Sequence, residues 1–162
     1  MNNAASPSVR RLVRAAVIAA LYAVLTLALQ PISYGPLQVR LSEAFTLLPI
    51  LLPEAVGGVT LGCLLANLLG GSMLPDIVFG TLATFLAAVL TRRLRKRFWP
   101  AASMPVLFNE LIVGAVVHFC YAPEKALWLC MVTVALGEAV ACYIVGPILL
   151  KALRALPAGL ID

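Results

Sequence analysis

The chain has 162 residues, 62% of them hydrophobic and 12% charged, with a mean hydropathy of +1.02. Soluble domains carry roughly 25% charged residues, so this composition points to an all-α integral membrane protein and away from a water-soluble globular domain. The net charge of +5 comes from basic residues grouped beside apolar segments, which is a topology signal and argues against a nucleic-acid partner.

The first apolar segment covers 12–29 and stops before Pro31, the length of one membrane-spanning helix. Arg10, Arg11 and Arg14 ahead of an Ala/Leu core imitate a secretory signal, but no small-x-small cleavage site follows, so a retained helix is expected. Next comes a polar run, Tyr34-Gly-Pro-Leu-Gln-Val-Arg40-Leu-Ser-Glu43, between two apolar stretches. Charged groups beside a bilayer are costly, which makes this run a functional-site candidate. Residues 44–69 are apolar again but interrupted by Pro49, Pro53, Glu54, Gly57 and Gly58. Segment 74–91 leads into the basic block Arg92-Arg-Leu-Arg-Lys-Arg97, and spans at 102–120 and 126–150 follow.

Charge decides the ambiguous middle. Arg10, Arg11 and Arg14 place the N-terminus in the cytoplasm, and the block at 92–97 belongs there too. An even number of crossings must separate them. One long helix over 44–69 gives three, whereas two short helices broken near Pro53–Gly58 give four. Two more crossings return Lys151 and Arg154 to the cytoplasm. The expectation is six transmembrane helices with both termini cytoplasmic: a tail at 1–11, a membrane domain at 12–150 and a tail at 151–162. Short helices cannot cross a core of roughly 30 Å unaided and are tolerated where they face protein or a water-filled cavity.

In this topology the 30–43 segment, the connection at 70–76 and the loop at 121–125 are extracytoplasmic. Arg40, Glu43, Asn67 and Asp76 then approach the outer half, with Asn109, Glu110 and Glu138 as its floor. Each has a second reading. Arg40 and Glu43 can pair with each other, and Asp76 can be a helix-start residue after Pro75. Glu54 reads as solvated in a cytoplasmic turn. Intramembrane carboxylates such as Glu110 and Glu138 rarely face lipid, though hydrogen-bonded packing is an alternative. His118, Trp99 and Trp128 read as interfacial residues. Cys63, Cys120, Cys130 and Cys142 stand singly in apolar runs, as small hydrophobes do.

Ala15, Ala19 and Ala23 recur every four residues, with Ala16 and Ala20 alongside. Such a face lets another helix approach closely, either within the protein or from a separate membrane subunit. No Gly-x-x-x-x-Gly-Lys-Ser/Thr loop is present, so any ATP-driven step belongs to another polypeptide. No catalytic constellation, metal cluster or cofactor site stands out.

The run Gln38-Val-Arg-Leu-Ser-Glu43-Ala-Phe after the Tyr-Gly-Pro loop resembles the queuosine-precursor transporter (QueT) family. These are substrate-binding S components of energy-coupling factor (ECF) transporters. Gly57-Gly-Val-Thr-Leu-Gly62, Ala66-Asn67, Asp76-Ile-Val-Phe-Gly80-Thr-Leu-Ala-Thr84, Phe108-Asn-Glu-Leu-Ile-Val-Gly114 and Gly137-Glu138 are similar as well, over about 14–150. The resemblance implies an S-component-like bundle in a prokaryotic cell membrane, capturing substrate from outside. A transmembrane coupling subunit and two cytoplasmic ATPases would be its partners, with Ala15, Ala19 and Ala23 as interface candidates. The implied substrate is a 7-deazaguanine in its cyano or aminomethyl form. Its guanine-like edge suits a carboxylate paired with Asn, Gln or Arg, and its ring could stack on Tyr34, Phe45, Phe79 or Phe108. Arg40, Glu43, Asn67, Asp76, Asn109, Glu110 and Glu138 are the substrate-binding candidates. An S component for another nutrient, a membrane-embedded enzyme and a structural assembly subunit are the competing readings.

Overall fold

The structure, a computed structural model, describes residues 6–30 and 40–155. Among these the chain is helical, without strands, and forms six helices: α1 (Pro7–Ala28), α2 (Leu41–Ile50), α3 (Ala55–Leu69), α4 (76–93), α5 (Phe98–Tyr121) and α6 (Leu127–Arg154). α1, α5 and α6 are long and apolar enough to cross a membrane, while α2 and α3 are shorter apolar helices.

α1 begins at Ser6, whose hydroxyl accepts from the Val9 amide, with Pro7 in the first turn, where its missing N–H costs nothing. One stripe of α1 is buried: Ile18, Ala19, Tyr22, Ala23 and Thr26. The opposite stripe, with Leu12, Val13, Val17, Leu21 and Val24, is exposed, as a lipid-facing surface must be. The buried stripe lies against α3. A methyl group at Gly58 would stand 2.8 Å from the Ala15 carbonyl oxygen, and one at Gly62 2.9 Å from that of Ala19. Gly58-x-x-x-Gly62 thus lets the two backbones nearly touch.

That packing corrects one expectation. Ala19 and Ala23 are not a face offered to a separate subunit, because α3 covers them, and the Ala15 backbone meets α3 at Gly58. Of the alanines between 15 and 23, Ala16 and Ala20 are the exposed ones.

α2 is a ten-residue 3₁₀ helix. At about 2.0 Å per residue it extends roughly 20 Å, short of a hydrocarbon core of about 30 Å. Its poorer backbone geometry survives because the other five helices all contact it and shield it from lipid. The chain breaks at 51–54, earlier than the expected Pro53–Gly58. Pro49 and Pro53 disrupt the hydrogen-bond ladder there, whereas Gly57 and Gly58 continue into α3 as α1's contact surface.

At this end of α2, Arg92 in the last turn of α4 donates to the carbonyls of Pro49 (3.0 Å) and Ile50 (3.3 Å). Arg14 of α1 meets Glu54 at 3.1 Å. The Glu54 side chain is 7% exposed, so it is an ion-pair partner rather than the solvated turn residue the sequence suggested. The main core joins α1, α2, α3 and α6 through residues such as Ile18, Leu47, Val59 and Cys142. A smaller cluster of Ala83, Val113 and Val134 joins α4, α5 and α6.

Candidate functional site

At the opposite end of α2 the interior turns polar. Arg40, Glu43, Asn67, Asp76, Asn109 and Glu138 are each between 0% and 5% exposed, although they come from five different places along the chain. Arg40 is the N-cap of α2 and Glu43 lies in its first turn; Asn67 ends α3 and Asp76 starts α4. Asn109 stands at mid-α5 and Glu138 at mid-α6.

Local helix geometry contributes. Asp76 and Asn109 each open a π-helical segment, Asp76–Gly80 and Asn109–Val113, and Glu138 lies just before another, Val140–Val145. Such widened turns displace neighbouring side chains from the regular helical register and are frequent at functional sites. The connection into α4 turns at Gly71, whose φ of +73° is accessible to glycine without a Cβ penalty.

The contacts divide the carboxylates into a fixed oxygen and a free one. Tyr22 of α1 donates its hydroxyl to Glu43 Oε1, while Glu43 Oε2 is buried with no partner among the described residues. Asp76 Oδ2 accepts from Arg40 at 3.5 Å and from the Tyr121 hydroxyl at 3.3 Å, while Asp76 Oδ1 is likewise unpartnered. Gly80 makes room for that carboxylate: a methyl group there would stand 3.0 Å from Oδ1. Asn67 donates its amide to the Asp76 backbone carbonyl at 3.3 Å, locking the end of α3 to the start of α4. Asn109 lies between Glu43 and Glu138 and interacts with both, yet its Nδ2 makes no hydrogen bond of regular geometry among the described residues. Glu138 Oε2 is reached by the Cys142 thiol at 4.0 Å.

A surrounding layer supports these groups. Thr26 bonds to Ser42 Oγ at 2.6 Å and to the Tyr22 carbonyl at 2.8 Å. Thr46 donates to the Glu43 carbonyl at 2.5 Å, and Thr84 donates to Cys63 Sγ at 3.3 Å. Tyr121 also accepts from the Met73 amide at 2.9 Å, tying α5 to the connection ahead of α4.

Six of the seven sequence candidates therefore converge. Glu110 is half-buried and no hydrogen bond or ion pair reaches it among the described residues, so it stands apart from the cluster. Arg40 reaches across to α4, and Asp76, although it starts a helix, is buried beneath that guanidinium. Of the ring candidates, Phe45 packs against the main core and Phe108 against the smaller one. Phe79 is half-exposed and lines an apolar groove of about 300 Å³ with Pro75, Ile112 and Phe119. Tyr34 and the rest of the polar run up to Val39 lie outside the described residues.

Sequence reasoning passed over Tyr22, Thr26 and Tyr121. Tyr22 and Thr26 follow Ala19 and Ala23 by three residues on the same helical stripe, so polar side chains on a buried face were the available signal. Tyr121 carried no comparable signal, because its role depends on a loop that brings α5 back to α4.

A sequence profile of the QueT transporter family matches residues 12–155. The chain belongs to the QueT transporter family. It is 31% identical over 146 residues to the queuosine precursor transporter QueT of Lactococcus lactis subsp. cremoris (strain MG1363), covering 82% of this chain and 86% of that protein. No solved structure matches it. Family membership and the apolar helices together make this a multi-pass cell-membrane protein with a transport role. The QueT match runs from within α1 to the end of α6 and includes every residue of the polar cluster.

Proposed function

We propose that the chain is the substrate-capture subunit of an ECF-type importer and that the polar cluster binds a 7-deazaguanine arriving from outside the cell. The observation that carries this reading is the set of unused polar atoms. Among the described residues Glu43 Oε2 and Asp76 Oδ1 are buried acceptors without donors, and Asn109 Nδ2 is a buried donor without an acceptor in regular geometry. Leaving such groups unpaired costs about 1–3 kcal/mol each, and more for charged ones, so a ligand that pairs with them recovers that energy. A guanine-type edge supplies the complement: neighbouring N–H donors for carboxylates and a carbonyl for an amide. The name of the Lactococcus relative, a queuosine precursor transporter, agrees with this chemistry.

The topology that goes with this reading has six crossings and cytoplasmic termini. Arg14 and Arg92 gather at the Glu54 end of α2, on the same side as the 92–97 block, and the positive-inside tendency assigns that end to the cytoplasm. The cluster at the other end of α2 then faces outward. Separate ATPase subunits supply the energy through a membrane coupling subunit, which meets the exposed face of α1 along Ala16 and Ala20.

Equilibrium binding of the 7-cyano and 7-aminomethyl forms of 7-deazaguanine to purified protein in detergent tests the proposal. Saturable binding of at least one is expected. Correctly folded protein that binds neither, yet binds another nutrient tightly, overturns the substrate assignment.

A further inference from the structure

The acidic and basic side chains buried in the cluster do not match in number. Among the described residues Glu43, Asp76 and Glu138 contribute three carboxyl groups, and Arg40 is the one cationic side chain buried with them. The undescribed segment 31–39 contains no charged residue, and the nearby Lys125 lies in the exposed loop between α5 and α6. Burying an uncompensated carboxylate costs several kcal/mol, so a cluster with this excess favours an incoming positive charge.

The three acids are not equally compensated. Asp76 has Arg40 and the Tyr121 hydroxyl on Oδ2. Glu43 has the Tyr22 hydroxyl on Oε1. Glu138 has a thiol at 4.0 Å, a weak donor at a long distance, and the Asn109 amide beside it, which makes no hydrogen bond of regular geometry among the described residues. Glu138 is nevertheless 3% exposed, in the middle of a helix that crosses the membrane. An intramembrane carboxylate so poorly paired marks a ligand or ion position. The unpartnered Asn109 amide beside it is an independent sign that something fills this part of the cluster.

We infer that the site takes its ligand as a cation and that Glu138 is the counter-charge for it. Glu43, Asp76 and Asn109 read the neutral hydrogen-bonding edge, and Glu138 meets a protonated amine elsewhere on the ligand. This rests on the 7-deazaguanine reading and sharpens it, because the aminomethyl form carries that amine and the cyano form does not. A desolvated ion pair in the site favours the amine by at least about 30-fold over a neutral group of similar size.

The test is calorimetric titration of both compounds into the wild-type protein and into Glu138→Gln, in the same detergent at pH 7. The quantity read is the ratio of the two dissociation constants. A wild-type preference for the aminomethyl compound of about 30-fold or more, falling at least tenfold in Glu138→Gln, supports the proposal. Equal affinities in the wild type, or an unchanged ratio in Glu138→Gln, overturn it while leaving a 7-deazaguanine site intact. If folded wild-type protein binds neither compound, the substrate reading itself fails and the charge proposal falls with it. Equal wild-type affinities overturn the proposal even if Glu138→Gln does not fold, and Glu138→Asp, which keeps the charge, should keep most of the preference.

Discussion

Two ion pairs stand at opposite ends of α2, the first part-buried and the second buried, and they are built differently. At one end Arg14 meets Glu54 and Arg92 caps the carbonyls of Pro49 and Ile50, which ties α1, the α2–α3 turn and α4 together. At the other end Arg40 meets Asp76, but unpaired atoms surround the pair. Among the described residues, the buried side-chain nitrogens and oxygens without a partner lie toward this second end: Glu43 Oε2, Ser72 Oγ, Asp76 Oδ1, Thr81 Oγ1 and Asn109 Nδ2. Similar residue types thus serve two purposes. A satisfied network fixes the fold, whereas one left incomplete retains stability that a ligand can supply.

The sharpest way to break this comparison is to remove one acid from each end. Glu43→Gln keeps the shape and the Tyr22 contact but removes the charge, and is expected to weaken 7-deazaguanine binding by about 2–5 kcal/mol, roughly 30-fold or more. The unliganded protein should be no less heat-stable, because a buried unpaired oxygen has lost its charge. Glu54→Ala should do the opposite. It leaves Arg14 without its partner and lowers stability by about 1–2 kcal/mol, discounted because Arg14 is partly exposed, while affinity stays within about twofold. Titration and thermal unfolding in one detergent read both. A loss of affinity in Glu54→Ala comparable to that in Glu43→Gln would mean that the two ends are not separate.

A second contrast lies within α1. Ala19 faces the backbone of α3 at Gly62, whereas Ala20 is exposed one residue later. Ala19→Leu is expected to force α1 and α3 apart and to lower stability by about 1–3 kcal/mol. Ala20→Leu should change it by no more than about 0.5 kcal/mol. Unfolding curves of the two variants check this. Equal destabilisation would place the tight helix contact elsewhere.

The same pair of residues explains what was legible in the sequence. Composition and the positions of Arg10 to Arg14 and Arg92 to Arg97 were enough for the helix count, because apolar length and charge parity are properties of the chain itself. Which alanine stripe faces inward was not legible. Ala15, Ala19 and Ala23 and their neighbours Ala16 and Ala20 have the same spacing, and only the position of Gly58 and Gly62 on α3 selects between them. The site divides in the same manner. Arg40, Glu43, Asp76 and Glu138 stood out as charges in apolar surroundings. Their partners did not, because Tyr22 and Tyr121 are ordinary membrane-protein residues until the fold brings them to a carboxylate. Glu54 was misread for a related reason: a turn after Pro53 looks solvated unless Arg14, forty residues away, is known to cover it.

The smallest expected effect tests how the Arg40 end is held open. Tyr121 bridges the Met73 amide and Asp76 Oδ2, so it aligns the start of α4 without belonging to the set of unpaired atoms. Tyr121→Phe removes both hydrogen bonds; water can replace the exposed one at Met73, and the one to Asp76 is worth about 1 kcal/mol. Asp76 keeps Arg40 as a charged partner, but its plane is less constrained and Oδ1 is presented less often toward the ligand. Affinity should fall by about fivefold. Stability should hardly change, because Tyr121 is 42% exposed and its ring stays. A fall in melting temperature without a change in affinity would assign Tyr121 to the loop alone and leave Arg40, Asn67 and the space at Gly80 to orient Asp76. A fall in affinity at constant stability would mean that this end of the molecule is held in a ligand-ready shape by groups that never touch the ligand.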